Sequence, residues 1–297
     1  MRFVVVLQLI FVLAAVPAFG GTLVLGSANN FVVLGGSTVT NSGPTTLEGD
    51  LGVYPGTSIT GLSSITVNGT TAVGNPAVHA GDAIAQQAQS DLSAAIIALS
   101  GEGPGDSLSS SGYATGNETL GAGVYSTGST FDLNGTLTLN FNNQANASFV
   151  FLVGSSLTAE VGSEVALENV GANDSVFWVI PTGSATIDAG TAFEGNILAY
   201  ASISFGTGAT LNCGRALAST GAVTLLTNTL STGCENAPVT TTATGITATG
   251  NALLEGSNGL GGSTVPEPGT AGLFTLGCLA GGLARYRVRI FRKSSPA

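Results

Sequence analysis

The side chains able to do chemistry are few and far apart. His79 is the only histidine, the cysteines are Cys213, Cys234 and Cys278, and no Cys-x-x-Cys spacing occurs. A zinc-type site needs several such ligands close together, so no metal is expected. Sugar-cleaving sites need converging carboxylates, often beside a cation or a metal. Glu160 and Asp188 occupy matching places in adjacent repeats, as do Glu164 and Glu194, but Arg215 is the one basic residue between positions 21 and 264. The carboxylates therefore read as solvated acidic groups, Arg215 as the partner of a neighbouring carboxylate and His79 as a structural residue. Neither an enzyme nor a cofactor is expected. Cys213 and Cys234, one repeat apart in an exported chain, could pair as a disulfide or stay as two thiols.

What recurs instead is hydroxyl chemistry. Ser156-Leu157-Thr158-Ala159, Ser184-Ala185-Thr186-Ile187, Ser202-Ile203-Ser204-Phe205 and Ala222-Val223-Thr224-Leu225 fill the same slot of successive repeats. Side chains alternate across a strand. Leu157, Ala185, Ile203 and Val223 then point inward with Ala159, Ile187, Phe205 and Leu225, and the hydroxyls point out. Thr158, Thr186, Ser204 and Thr224 form one outward column, and Ser156, Ser184 and Ser202 a second. Ser58 and Thr60, in a matching Gly-Thr-Ser-Ile-Thr run, extend both.

Each of these segments follows a short apolar strand, beginning at Phe149, Val176, Asn196 and Arg215, and Gly162, Gly190 and Gly208 follow at equivalent corners. Repeats of this size with the same residue types in the same slots describe a mainly β protein, a parallel β-helix or solenoid. One segment departs from it. Asn75-Pro76 reads as a helix start, and Ala80, Ile84, Ala88, Leu92, Ala95, Ile96 and Leu99 then recur at helical spacing up to Gly101, while Gln86, Gln89, Ser90 and Ser93 face away. One long α-helix packed along a flank of the solenoid is expected.

The ends of the chain are addresses. Residues 1–20, with Arg2 before an apolar run interrupted only by Gln8, read as a secretory signal peptide. Residues 21–236 are the solenoid domain, and 237–264 a linker rich in Thr, Gly and Ser. Residues 265–297 carry Val265-Pro266-Glu267-Pro268, an apolar stretch and then Arg285, Arg287, Arg289, Arg292 and Lys293. That order resembles the PEP-CTERM sorting signal processed by exosortase-type enzymes. It implies a cell-surface or extracellular location with a transient membrane anchor through the C-terminal helix. Between residues 21 and 264 sixteen carboxylates face a single Arg, a net of −15, which excludes nucleic acid as a partner because phosphate binding needs clustered Lys and Arg.

Leu25-Gly26-Ser27-Ala28-Asn29-Asn30-Phe31-Val32-Val33-Leu34-Gly35-Gly36, then Gly49-Asp50-Leu51-Gly52-Val53, the helix from His79-Ala80-Gly81-Asp82, Gly195-Asn196-Ile197-Leu198-Ala199 and Gly214-Arg215-Ala216-Leu217 together resemble the microbial ice-binding proteins. The resemblance spans roughly residues 23 to 231. It implies a discontinuous right-handed β-helix, an N-terminal segment that joins the solenoid out of sequence order, and antifreeze or recrystallisation-inhibiting adsorption to ice through one flat face. Stacked strands repeat every ~4.8 Å, and threonine's branched χ1 holds its methyl and hydroxyl in register. Ser156, Thr158, Ser184, Thr186, Ser202, Ser204, Thr224, Ser58 and Thr60 are then the ice-binding candidates. A structural or adhesive surface protein is the alternative reading of the same columns.

Overall fold

Three parallel sheets share one core, and the chain visits them in turn. The computed structural model describes residues 24–108 and 117–234, together with the backbone of an antiparallel hairpin formed by Val239–Thr242 and Gly245–Ala248. The expected signal peptide and the C-terminal apolar helix lie outside the described residues. Among the described residues no helix is long and apolar enough to cross a membrane.

One coil contributes a strand to each sheet, as in Ser175–Ile180, Ala185–Ile187 and Ala192–Glu194. Coils stack in register: Phe177 pairs with Asn196, Ala185 with Ile203, and Ala192 with Thr210. Gly162, Gly190 and Gly208 sit at the corner between the second and third sheets with φ of 68°, 67° and 73°, a conformation that glycine adopts without penalty. Inside, the aromatic residues stack rung upon rung, with the Phe151 and Trp178 ring centroids 4.0 Å apart and nearly parallel.

The stacking order is not the sequence order. Phe31–Gly35, Thr38–Ser42 and Thr45–Glu48 form a first coil that pairs with the last one, Ala216–Ala218, Val223–Leu226 and Thr229–Ser231. Asp50–Val53, Ser58–Thr60 and Ile65–Val67 then extend the stack beyond it. The solenoid is therefore discontinuous, with its N-terminal coils added after its C-terminal one.

The helix is Ala83–Ser100, shorter than the spacing predicts. Its N-cap is Asp82, whose Oδ1 accepts the Ala85 N–H at 2.9 Å, and not Asn75. Val78–Ala80 is instead a strand on the edge of the first sheet, with His79 buried and its Nδ1 2.8 Å from Asp82 Oδ2. A nearby cap and a strand pairing thus outcompete the Asn-Pro start. Gly101 does end the helix, but in a right-handed conformation with φ −80°.

The first sheet is the covered one. Ala85, Ala88, Leu92, Ala95 and Leu99 of the helix bury against Phe31, Leu34, Phe177, Val179, Leu198 and Leu217, which point outward from this sheet. With both faces buried, its strands carry unbroken apolar runs. The strands of the second sheet alternate buried and accessible residues, which marks a sheet with one face open. Ile84 turns out to be exposed, while Gln89 points inward and is buried. Gln89 Nε2 donates to the Gly35 and Ala218 carbonyls, both at 3.0 Å, so the helix clips the first coil to the last.

Candidate functional site

The second sheet presents a face that no other described element covers, and its central outward column is a line of short polar side chains. The register runs Asp132, Thr158, Thr186, Ser204, Thr224, Thr40, Thr60. Thr186, Thr40 and Thr60 are exposed, and the other members are half-buried between their neighbours. Leu157, Ala185, Ile203, Val223 and Val39 beneath them are buried, so each outward residue stands on a fixed apolar strand.

The hydroxyls of this column are unoccupied. No hydroxyl of Thr158, Thr186, Ser204, Thr224, Thr40 and Thr60 bonds another described residue, whereas several other threonines are used inside the protein. Thr45 bonds Asn41, Thr191 the Glu160 carbonyl, and Thr220 the Tyr200 carbonyl. A hydroxyl that repeats without a protein partner is available to order water, and its stiff rotamer leaves little side-chain entropy to lose when it does so.

The second column has a different character. Its members are Ser156, Ser184 and Ser202, interrupted by Ala222, and then Thr38 in register with Ser58. Ser184 Oγ accepts the Ser202 N–H at 3.3 Å, and Ser202 Oγ accepts the Ala222 N–H at 3.2 Å. Ser184 and Ser202 therefore brace one coil against the next, each with one acceptor site of its hydroxyl already taken. Thr40 and Thr38 escaped the repeat reading because their coil lies far from its neighbours in sequence. The alternation Thr38-Val39-Thr40, matching Ser58-Ile59-Thr60, is the signal that could have found them.

Charge divides the face. Asp132, Glu160 and Asp188 stand on or beside the strands at one end, whereas Ile203–Phe205, Val223–Leu226, Thr38–Ser42 and Ser58–Thr60 carry none. Glu160 and Asp188 are brought onto neighbouring coils. Glu164 and Glu194 are not partners: Glu164 pairs with Ala192, and Glu194 is buried.

Among the described residues, the hydrogen-bond partners of the Arg215 guanidinium include neutral oxygens. Its Nε donates to the Asn29 carbonyl at 2.8 Å and one terminal nitrogen to Asn196 Oδ1 at 2.9 Å. It ties the N-terminal turn to the penultimate coil, and burial lowers its pKa to about 10. Cys213 and Cys234 are joined by a disulfide that closes the last coil.

A model of the Ice-binding-like family matches residues 33–231, and one of the PEP-CTERM protein-sorting motif matches residues 264–288. An ice-binding protein of Nostoc sp. (strain HG1) is 45% identical over 214 residues, 72% of this chain and 76% of that protein. An ice-binding protein of Colwellia sp is 29% identical, covering 69% of this chain and 82% of its own. Among solved structures, an ice-binding protein from an Antarctic biological consortium has a TM-score of 0.61 at 39% identity, over 69% of this chain and 90% of that one. An ice-binding protein from the Antarctic ascomycete Antarctomyces psychrotrophicus has 0.62 at 33%, over 70% and 96%. The chain belongs to the Ice-binding-like family.

Proposed function

We propose that this member of the Ice-binding-like family is exported and adsorbs to ice through the open face of its second sheet. The observation that carries the reading is the column Thr158, Thr186, Ser204, Thr224, Thr40, Thr60, in continuous register with unoccupied hydroxyls. Strands ~4.8 Å apart and outward residues ~6.6 Å apart along each strand make a grid of fixed methyls and hydroxyls. Such a grid holds a first water layer in ice-like positions before the crystal reaches it. The helix cannot share this role with the second sheet, because it buries the outer side of the first.

The likeness to ice-binding relatives supports the ligand, and the PEP-CTERM match supports export to the cell surface. On this reading the C-terminal apolar segment is a transient membrane anchor removed by an exosortase-type enzyme, and residues 237–264 are the spacer. The coils wind in the right-handed sense usual for parallel crossovers. Adsorption needs no catalytic group, so the acidic residues around the face serve solubility and not chemistry.

Partition into a slowly growing ice front tests the proposal. The purified protein should concentrate in the ice fraction while an inert protein of similar size stays in the liquid. Equal exclusion of both would leave the adhesive surface reading in its place.

A further inference from the structure

The third sheet carries a second hydroxyl column that the sequence order conceals. Thr210 pairs with Thr229, Thr229 with Thr46, and Thr46 with Thr66. These are four threonines on four successive coils, two from the C-terminal end of the domain and two from its N-terminal end. Leu211, Leu230, Leu47 and Val67, next along each strand, are buried, so the threonines face out. None of the four hydroxyls bonds another described residue. Farther along the same column the pattern stops, at Ala192 and then Glu164, and Thr136 Oγ1 is turned toward Glu164.

The position of this column is what gives it meaning. It stands on the same coils whose second-sheet strands carry Ser204, Thr224, Thr40 and Thr60 and no charge. On the third sheet those four strands hold one carboxylate, Glu48, at the edge of the array. Rigid, uncharged, in-register hydroxyls thus continue around a corner of the solenoid. Elsewhere, threonines next to these columns are taken up as struts, as Thr45 and Thr191 are.

We infer that Thr210, Thr229, Thr46 and Thr66 form a second ice-contacting face, set at an angle to the first, so that one molecule engages ice planes of two orientations. This rests on the ice-binding reading above and adds a second surface to it. The ligand is the same because the chemistry is the same: a ladder of methyls and free hydroxyls at the strand repeat, on a sheet whose outer side no other described element covers.

Fluorescently labelled protein adsorbing to a growing single-crystal ice hemisphere reads the planes directly. Wild type should mark two sets of planes. T46K/T229K should erase one set and at least halve thermal hysteresis, while T40Y/T186Y should erase the other. Melting within about 2 °C of wild type confirms folding, since surface changes of this sort cost little stability. If T46K/T229K misfolds, T66K/T210K interrogates the same face. A T46K/T229K pattern identical to wild type, or complete loss of adsorption in T40Y/T186Y, overturns the second face while leaving the first intact. Wild type that marks no plane at all overturns both.

Discussion

Thr40 and Thr224 stand side by side in one parallel register, although one belongs to the first coil of the chain and the other to the last. The open face of the second sheet is continuous only because this junction closes. Every residue that holds the N-terminal coils against the C-terminal one therefore also holds the proposed binding surface together.

Gln89 is such a residue, with its amide nitrogen shared between the Gly35 and Ala218 carbonyls. Gln89→Leu removes two buried hydrogen bonds without changing the helix's apolar packing. It should lower unfolding free energy by about 1–3 kcal/mol, measured by chemical denaturation. An unchanged midpoint and slope would show that the clip contributes nothing to the junction.

The disulfide between Cys213 and Cys234 spans 21 residues. Closing a loop of that length restricts the unfolded chain by about 3 kcal/mol on a chain-entropy basis. The Cys213→Ser, Cys234→Ser double variant should be less stable by roughly that amount and keep its hydroxyl columns. Equal melting temperatures for the variant and the oxidised wild type would refute the estimate.

Asp91 on the helix accepts from the Ser27 hydroxyl at 2.6 Å and the Ser27 N–H at 2.7 Å. These bonds hold its carboxyl below the usual carboxylate range, the hydroxyl bond contributing most. The folded state therefore binds its proton less readily than an unfolded Asp with a pKa of ~3.9. The stabilisation is complete above about pH 4 and is lost as pH falls through the depressed folded value. Asp91→Asn should show a shallower loss of stability on acidification than wild type, and parallel curves would count against the contact.

The sequence made some of this legible and hid the rest for physical reasons. Unbroken runs such as Val176-Phe177-Trp178-Val179-Ile180 and alternating ones such as Ala185-Thr186-Ile187 announced a covered and an open sheet, because burial on two faces or one imposes those patterns. The third strand of each coil was invisible, since Glu164–Glu168, Ala192–Glu194 and Thr210–Asn212 share few residue types in their slots. Thr40 was missed because register between first and last coils is a long-range fact. The helix began late because Asp82 caps it locally, and Gln89 defied its expected setting because it serves the junction.

Thermal hysteresis of the purified protein, compared across T40Y, T186Y and a control I97Y on the exposed outer side of the helix, tests the central claim most directly. The two threonine variants should lose most of the activity while melting like wild type, and I97Y should keep all of it. Full activity in T40Y and T186Y, or equal losses in all three, would contradict a binding surface on the second sheet.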